Sequence, residues 1–350
     1  MIWLCLAVVV LIILDRILTP KLLATLKYES RFDCIMAEPN EPVTLESTIE
    51  NSRRLPVPFV RLQHRLPSDA ELCDETNIVR DTLFYRNTEE KFSVRSRSYV
   101  KKSFRFSIGR RGIFEVGKYQ LSVGDFFGFR EERHFGDGSS IVIIPSRCER
   151  ISTLQALGGF IGDISVRRFI MDDPILTIGF RDYTGHEPMK SISWTRTATA
   201  GSLQVKEFDR TAEQTVTVLL NVSGGSDEEL EDCFRLTRTV CERLEKEKIP
   251  YAFRTNGFLP SPTGAIFNLP DGLGYHHLST ILYGLGGANY TCFYSLHTLI
   301  HQSLMKRKHN ESFIVITPEP DENDQLILQR LQAFSSNPMC VLVGKEDAHE

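Results

Sequence analysis

Residues 216–225 read Val-Thr-Val-Leu-Leu-Asn-Val-Ser-Gly-Gly, a continuous apolar run that ends in a polar, glycine-rich loop. Such a run is typical of a strand buried on both faces of a parallel sheet. The next segment, Asp227–Lys248, has acidic residues at its start, basic residues at its end and apolar residues every three or four positions, which predicts a helix. Strand-like and helix-like segments then alternate, so residues 213–350 are predicted to form an α/β domain with a mostly parallel sheet.

The carboxyl ends of these predicted strands mark the expected binding edge of the domain, because open α/β sheets bind ligands there. The loops at this edge are Asn221–Ser226, Asn256–Gly257 and Thr317–Asp321. Any ligand of the domain is expected at these loops.

A polar segment rich in basic and aromatic residues precedes this domain. Residues 181–206 read Arg-Asp-Tyr-Thr-Gly-His-Glu-Pro-Met-Lys-Ser-Ile-Ser-Trp-Thr-Arg-Thr-Ala-Thr-Ala-Gly-Ser-Leu-Gln-Val-Lys. Arginine, tyrosine and tryptophan are enriched at the energetic centres of protein interfaces, which predicts an interaction surface here. In the structural alternative, the aromatic rings pack the segment against the sheet and its cations pair with Glu187, Glu207 and Asp209. The predicted surface residues are Arg181, Tyr183, Lys190, Trp194, Arg196 and Lys206.

Upstream, residues 26–147 consist of short extended runs separated by proline, glycine and asparagine, with no long helical period. The run Val43–Ile49 alternates apolar and polar residues, as half-buried strands do. Several runs of this kind predict an antiparallel β-sandwich domain. Residues 148–212 are predicted to be an irregular connector that carries the 181–206 segment.

A basic cluster lies within the predicted β-sandwich. One interpretation is a solvated strand face whose lysines and arginines protect a sheet edge. The other is a patch attracted to anionic headgroups at the inner membrane surface. The cluster consists of Arg95, Arg97, Lys101, Lys102, Arg105, Arg110 and Arg111.

The N-terminus is apolar, and Ile2–Leu14 carries no charge. A helix over residues 1–18 would be about 27 Å long, close to the hydrocarbon thickness of a bilayer. Residues 1–20 are therefore predicted to be a transmembrane anchor of the cell membrane. A signal peptide is disfavoured because no basic region precedes the run and no small-residue cleavage site follows it. The basic residues after the run predict that the C-terminal bulk is cytoplasmic, and eight scattered cysteines agree with a reducing compartment.

Composition and motifs argue against several classes of function. The net charge of -4 provides no attraction to nucleic acid, and the chain lacks a nucleophile elbow and a phosphate-binding loop. His186 next to Glu187 is a candidate base with its orienting partner, as a hydrolase would need. His297 and His301 share a helix face, but without a third ligand they are interpreted as a surface pair. We therefore expect no catalytic activity and no cofactor.

The 181–206 segment resembles the hallmark of a bacterial membrane-anchored family, domain of unknown function 58. That hallmark is Arg-x-Tyr, Gly-Asp, Arg-x-Ile-x-Trp, Ala-Arg and Val-Lys before a strand like that of a von Willebrand factor A domain. Lys190 replaces the second arginine, and His186-Glu187 replaces Gly-Asp. Arg110–Phe114 and Asp125–Phe129 are similar to two further motifs of the family. The matching residues of the hallmark are Arg181, Tyr183, Ile192, Trp194, Ala198, Val205 and Lys206.

The resemblance implies the whole architecture of anchor, β-sandwich and von Willebrand factor A-like (Rossmann-like) domain, an α+β multidomain fold. It also implies a protein partner, commonly a MoxR-type AAA+ ATPase. Domains of this type often bind a divalent cation through Asp-x-Ser-x-Ser after the first strand. Here the matching residues are Asn221, Ser223 and Gly225, so the carboxylate and one hydroxyl are missing.

Together these observations predict a membrane-anchored, non-catalytic interaction or scaffold protein that works without a metal ion. The alternative is an adhesion-type domain that binds a divalent cation through its degenerate site.

Overall fold

The computed structural model describes Trp3 and residues 26–73, 78–81, 83, 85–116, 118–124, 131–170, 177–185, 187–208, 215–262, 264–305, 311–334 and 338–344. The chain divides into two compact units. The first consists of residues 1–146 with 285–287, and the second of residues 147–284 with 288–350.

The first unit is built from strands. The strands are β1 (Leu26–Phe32), β2 (Met36–Ala37), β3 (Val43–Asn51), β4 (Val57–Pro67), β5 (Ala70–Leu72), β6 (Ile78–Asp81), β7 (Tyr85–Val94), β8 (Ser98–Ile108), β9 (Gly112–Val116), β10 (Lys118–Gly124), β11 (Glu131–Gly136) and β12 (Ser139–Ile143). They form a four-stranded sheet of order β1-β3-β8-β5, a five-stranded sheet of order β11-β10-β4-β7-β6 and a three-stranded sheet of order β2-β12-β9. Neighbouring strands are antiparallel except β2 and β12, which are parallel.

Alternation of apolar and polar residues decides which strand face is buried in this unit. In β3, Val43, Leu45 and Ile49 are buried, whereas Glu46 is exposed. Ile49 clusters with residues of β4 and β10, so the four-stranded and five-stranded sheets share a core. Each fully buried leucine or isoleucine contributes about 1.5–3 kcal/mol to such a core.

The second unit combines helices with a mixed sheet. A 3-10 turn spans Met189–Ser191. The helices are α1 (Ile151–Ile170), α2 (Trp194–Ala200), α3 (Asp227–Lys246), α4 (Tyr275–Gly287), α5 (Leu296–Met305) and α6 (Glu322–Phe334). The strands are β13 (Thr177–Asp182), β14 (Gln204–Phe208), β15 (Thr215–Leu220), β16 (Tyr251–Ser261), β17 (Gly264–Gly272), β18 (Glu311–Pro318) and β19 (Met339–Gly344).

The main sheet of this unit has the order β17-β16-β15-β18-β19. β15, β16, β18 and β19 are parallel, whereas β17 runs antiparallel to β16. The chain leaves β15 in one direction to form β16 and β17, and then returns to the other side of β15 to form β18. This reversal creates a topological switch point at the carboxyl ends of β15 and β18, the place where open α/β sheets bind ligands.

Helix α3 follows the loop at this switch point and begins with a capping box. Ser226 Oγ accepts a hydrogen bond from Glu229 N (3.3 Å), and Glu229 Oε2 accepts one from Ser226 N (2.9 Å). Leu230, Phe234 and Leu244 lie on its buried stripe. Local capping and the apolar period thus agree on where this helix begins and which face it buries.

The predicted fold class is wrong as stated. Among the described residues the protein is mostly β, with 46% strand and 29% helix, and its main α/β sheet is mixed. The strand-like run Tyr251–Thr255 is longer in the structure: β16 continues to Ser261 and pairs with β17 in a hairpin that the sequence pattern did not predict. It also predicted an irregular connector where the 20-residue helix α1 lies.

The transmembrane helix in that predicted fold class has no support from the structure. No helix among the described residues is long and apolar enough to cross a membrane. The predicted anchor, residues 1–20, lies outside the described residues except for Trp3. Cellular location stays a prediction from the sequence.

Candidate functional site

Buried polar side chains occupy the switch point of the second unit. Asn221 directly follows β15, and Asn256 lies in the neighbouring strand β16. On the other side of β15, Thr317 lies near the end of β18. All three side chains are fully buried. We refer to Asn221, Asn256 and Thr317 as the amide network.

Asn221 uses both ends of its side-chain amide. Its Oδ1 accepts hydrogen bonds from Ser223 N (3.1 Å), Ser223 Oγ (2.6 Å) and Asn256 Nδ2 (2.6 Å). Its Nδ2 donates to Thr317 Oγ1 (3.0 Å) and to Ser223 O (3.3 Å). An amide has two N–H donors and one oxygen acceptor, so the hydrogen-bonding capacity of Asn221 is fully used.

Asn256 extends the network away from β15. Its Oδ1 accepts a hydrogen bond from Val222 N (2.8 Å), and its Nδ2 donates to Tyr294 O (2.8 Å) as well as to Asn221. The Tyr294 hydroxyl donates to Thr255 O (2.8 Å). The amide network therefore connects β16, β15 and β18 across the switch point.

The residues at the switch point do not fit a divalent cation. Mg²⁺ needs ionised oxygen ligands in near-octahedral geometry, and Asn221 and Ser223 instead bond to each other. Gly225 has a φ of +77°, and a Cβ there would lie 2.5 Å from Pro318 Cβ. A hydroxyl at position 225 would thus require the end of β18 to move. The described residues contain no group of three or more His, Cys, Asp or Glu side chains that could hold a metal ion.

The amino end of α3 is also unsuited to phosphate. Helix amino ends attract anions through unpaired N–H groups and the helix dipole. Here Asp227, Glu228 and Glu229 place acidic side chains in the first turn, and the Glu229 carboxylate bonds to the cap residue. The protein supplies its own anions at this end.

The 181–206 segment forms a small element of its own within the second unit. β13 and β14 form an antiparallel hairpin, with the 3-10 turn and α2 between them. Across the hairpin, Phe180 is opposite Lys206 and Arg181 is opposite Val205. Direct partners share a face and successive residues alternate, so Arg181 and Lys206 point to opposite faces.

Arg181 forms an ion pair with Glu187. Its Nη1 lies 2.6 Å from Glu187 Oε1, and Thr184 donates to the same carboxylate through Oγ1 (2.7 Å) and its backbone N (3.1 Å). The Thr184 hydrogen bond, assisted by Arg181, lowers the pKa of Glu187 to about 2. For Arg181 the structure thus shows the ion pair expected in the structural alternative. His186 and Asp209 lie outside the described residues.

Several basic and aromatic side chains of this element are exposed. The Arg196 guanidinium of α2 lies 5.0 Å from the centre of the Phe180 ring, and Lys206 is exposed. Trp194, at the start of α2, is 60% exposed, so most of its side chain faces solvent. We refer to Phe180, Trp194, Arg196 and Lys206 as the hairpin surface.

The two remaining predicted surface residues differ in exposure. Tyr183 is half-buried, and Lys190 is exposed in the 3-10 turn. Large exposed apolar side chains were missed by the sequence analysis: Phe180 (40% exposed), Met189 (70%) and Leu203 (41%). In the sequence, these three side chains can be recognised as single apolar residues within a polar stretch.

The remaining predicted features are the histidine pair, the basic cluster and the Asp125–Phe129 motif. His297 and His301 are exposed and their rings lie 6.3 Å apart at 26°. Within the basic cluster, Lys102 Nζ pairs with Glu90 (3.1 Å) and Arg110 pairs with Asp69. The Asp125–Phe129 motif lies outside the described residues.

Comparison with known proteins adds little. No family model matches the chain, and no curated protein matches it. Among solved structures, a Corynebacterium diphtheriae protein described as membrane anchored is 14% identical, covering 34% of this chain and 36% of that one at a TM-score of 0.26.

Two other structures are comparably distant. The sporulation control protein Spo0M of Bacillus subtilis is 11% identical, covering 45% of this chain and 58% of that one at a TM-score of 0.19. A β-glucosidase of Erythrobacter marinus is 8% identical, covering 34% and 15% at a TM-score of 0.20. The chain spans less than two thirds of the length of each of these proteins.

Proposed function

We propose that this chain is a non-catalytic protein-interaction module that works without a bound metal ion. The observation that carries the proposal is the amide network. Its hydrogen bonds between Asn221, Asn256 and Thr317 close the switch point, where related sheets bind ligands. Its members are two amides and a hydroxyl bonded to one another, so they provide neither an open coordination position nor a side chain that exchanges a proton near neutral pH. Recognition is therefore assigned to exposed side chains.

The hairpin surface has the composition that protein recognition needs. Trp194 is largely exposed, and tryptophan and arginine are the side chains most enriched at interface hot spots. The Phe180 ring supports the Arg196 guanidinium, which reduces the side-chain entropy lost on binding. We assign a partner with an apolar pocket bordered by acidic residues. The resemblance to domain of unknown function 58 supports a MoxR-type AAA+ ATPase as this partner.

Trp194→Ala is expected to weaken partner binding by about 30-fold, since a central tryptophan contributes about 2 kcal/mol or more. Arg196→Gln is expected to weaken it by about tenfold through loss of a charge-assisted contact. The partner is first identified by crosslinking to the full chain and is then purified. Its affinity for the unmodified protein and for each variant is measured by titration.

Tyr275→Ala is the matched control for Trp194→Ala, because Tyr275 is 82% exposed elsewhere in the same unit. It is expected to bind like the unmodified protein. If Tyr275→Ala weakens binding and Trp194→Ala does not, the hairpin surface is the wrong interface.

Calorimetric titration with Mg²⁺ or Mn²⁺ is expected to show no saturable binding up to about 10 mM, above the millimolar dissociation constants of weak extracellular calcium modules. The reason is that Asn221 supplies an already bonded amide where a cation needs a carboxylate. Saturable binding that disappears in Asn221→Ala would instead establish the adhesion-type, cation-dependent function.

A further inference from the structure

The five-stranded sheet of the first unit carries a cavity of about 300 Å³. Its lining includes Gln63 and Arg65 of β4, Lys118 and Gln120 of β10, and Phe135 of β11. A volume of this size is at the lower end of the range for small-molecule sites, which suits a ligand with one sugar ring.

The strand register places the polar lining residues in two adjacent rows on one face of the sheet. Lys118 is opposite Arg65, and Arg65 is opposite Asn87 on its other side. In the next row, Phe135 is opposite Gln120 and Gln120 is opposite Gln63. Direct partners and residues two apart in a strand share a face.

This face is the outer face of the sheet. The intervening residues Leu62, His64 and Leu121 are buried at 1%, 3% and 2% exposure, so they point to the core that the two sheets share. The two rows thus present cations, amides and an aromatic ring to solvent around one cavity. Phe135 is 67% exposed.

The cations Lys118 and Arg65 are direct cross-strand neighbours, an arrangement that is destabilising without an anion between or above them. Within the described residues Arg65 pairs with no carboxylate; its guanidinium carbon lies 4.4 Å from the centre of the Tyr85 ring. Lys118 pairs with Glu115 at 2.5 Å, but both side chains are about half exposed or more. Such exposed pairs contribute little, so Lys118 can exchange this carboxylate for a ligand anion.

The amides of the second row are held in place by the protein. Gln63 Nε2 donates to Glu89 Oε2 (2.8 Å), and Gln120 Nε2 donates to Ser122 Oγ (3.2 Å). Their amide oxygens are acceptors for ligand hydroxyl groups. Asp137 adds a carboxylate acceptor to the lining.

We propose that this cavity binds an anionic sugar, a hydroxyl-bearing ring that carries a carboxylate or a phosphate. The oxyanion lies between Arg65 and Lys118, which donate charge-assisted hydrogen bonds to it. The hydroxyl groups bond to the amide row, and the apolar face of the sugar ring packs on Phe135. This site is independent of the hairpin surface, which belongs to the second unit.

Calorimetry with the full chain tests the site with four probes: glucuronate, glucose 6-phosphate, glucose and inorganic phosphate. We expect saturable binding of at least one of the two anionic sugars, and the tighter of them identifies the anionic group. Glucose and inorganic phosphate are each expected to bind at least about tenfold more weakly. Glucose lacks the anionic group that contacts the two cations, and inorganic phosphate lacks the sugar ring that contacts the amides and Phe135.

Arg65→Gln and Lys118→Gln are each expected to weaken binding of the anionic sugar by about tenfold. Lys101→Gln and Arg105→Gln are the matched controls, because both residues are exposed cations of β8 in the other sheet. They are expected to leave the affinity unchanged, and circular dichroism verifies that all four variants fold.

The proposal is overturned if neither anionic sugar binds saturably up to about 10 mM, well above a millimolar dissociation constant. It is also overturned if inorganic phosphate binds as tightly as glucose 6-phosphate, which would define a bare oxyanion site. Equal losses in the control and cavity variants would show that net charge, not this cavity, attracts the ligand.

Discussion

Asn221→Ala is expected to lower the free energy of unfolding of the second unit by about 3 kcal/mol, because it leaves buried polar groups without partners. Asn256 Nδ2 loses the acceptor at 2.6 Å, and Thr317 Oγ1 loses the donor at 3.0 Å. Both residues are fully buried, so the groups that lose these bonds are not exposed to bulk water.

The change is measured by calorimetry of the full chain, following the transition of the second unit. For a unit of this size, about 3 kcal/mol corresponds to a decrease in Tm of about 6–12 °C. Asn289→Ala is the matched control: Asn289 is exposed and its Oδ1 accepts one hydrogen bond from Thr291 N (3.1 Å). If the two variants lose the same stability, the amide network does not hold the carboxyl edge together.

The first unit is expected to lose stability in mild acid because of His64. This side chain is 3% exposed, and burial lowers its pKa from 6.5 to about 4. Its Nε2 lies 2.8 Å from the Tyr28 hydroxyl and 3.2 Å from Ser47 Oγ. The folded state therefore keeps the imidazole neutral where the unfolded chain already binds a proton.

The direction of this pH effect on stability follows from the lowered pKa of His64. The contribution of His64 is fully present above pH 6.5, where both states are neutral, and is lost progressively as pH falls toward about 4. A shift of this size corresponds to about 3 kcal/mol of lost stability. Urea unfolding at a series of pH values between 6.5 and about 4 measures this loss of stability.

His64→Gln retains a hydrogen-bonding group without the titration, so its stability is expected to depend less on pH between 6.5 and about 4. His134→Gln, at an exposed position on β11, is expected to retain the pH dependence of the unmodified protein. An identical pH dependence for all three proteins would show that His64 is not kept neutral by burial.

The sequence predicted the elements whose local signals agree with their final environment. β15 is a continuous apolar run in the middle of the sheet, and α3 has its cap, charges and apolar stripe in register. Helix α1 shows the opposite case. Its three glycines favour an irregular segment by about 1 kcal/mol each, yet Leu157, Phe160 and Ile164 recur at helical spacing and are buried.

The β16–β17 hairpin shows a different limit of sequence analysis. β17 reads Gly-Ala-Ile-Phe-Asn-Leu-Pro-Asp-Gly, which contains several residues disfavoured in strands. It is an edge strand, the place where proline and glycine are tolerated because only one side needs hydrogen-bond partners. Pairing with β16, which no local pattern reveals, determines its conformation.

The candidate site could be predicted only in part. An asparagine after each of two successive strand-like runs in the sequence, Asn221 and Asn256, indicates a polar edge, although β16 continues past Asn256 to Ser261. That these two amides bond to each other depends on the strand order, which brings β15 and β16 side by side. The splitting of Arg181 and Lys206 onto opposite faces likewise depends on the hairpin register.

The amide network has a consequence for regulation. Where an ion holds a sheet edge, the cell can switch binding by changing the concentration of that ion. Here the hydrogen bonds from Asn221 are part of the chain and persist under any ionic conditions in which the unit is folded. Under the proposed function, chelators and cation pulses are expected to leave partner binding unchanged, so engagement would be set by how much partner is present.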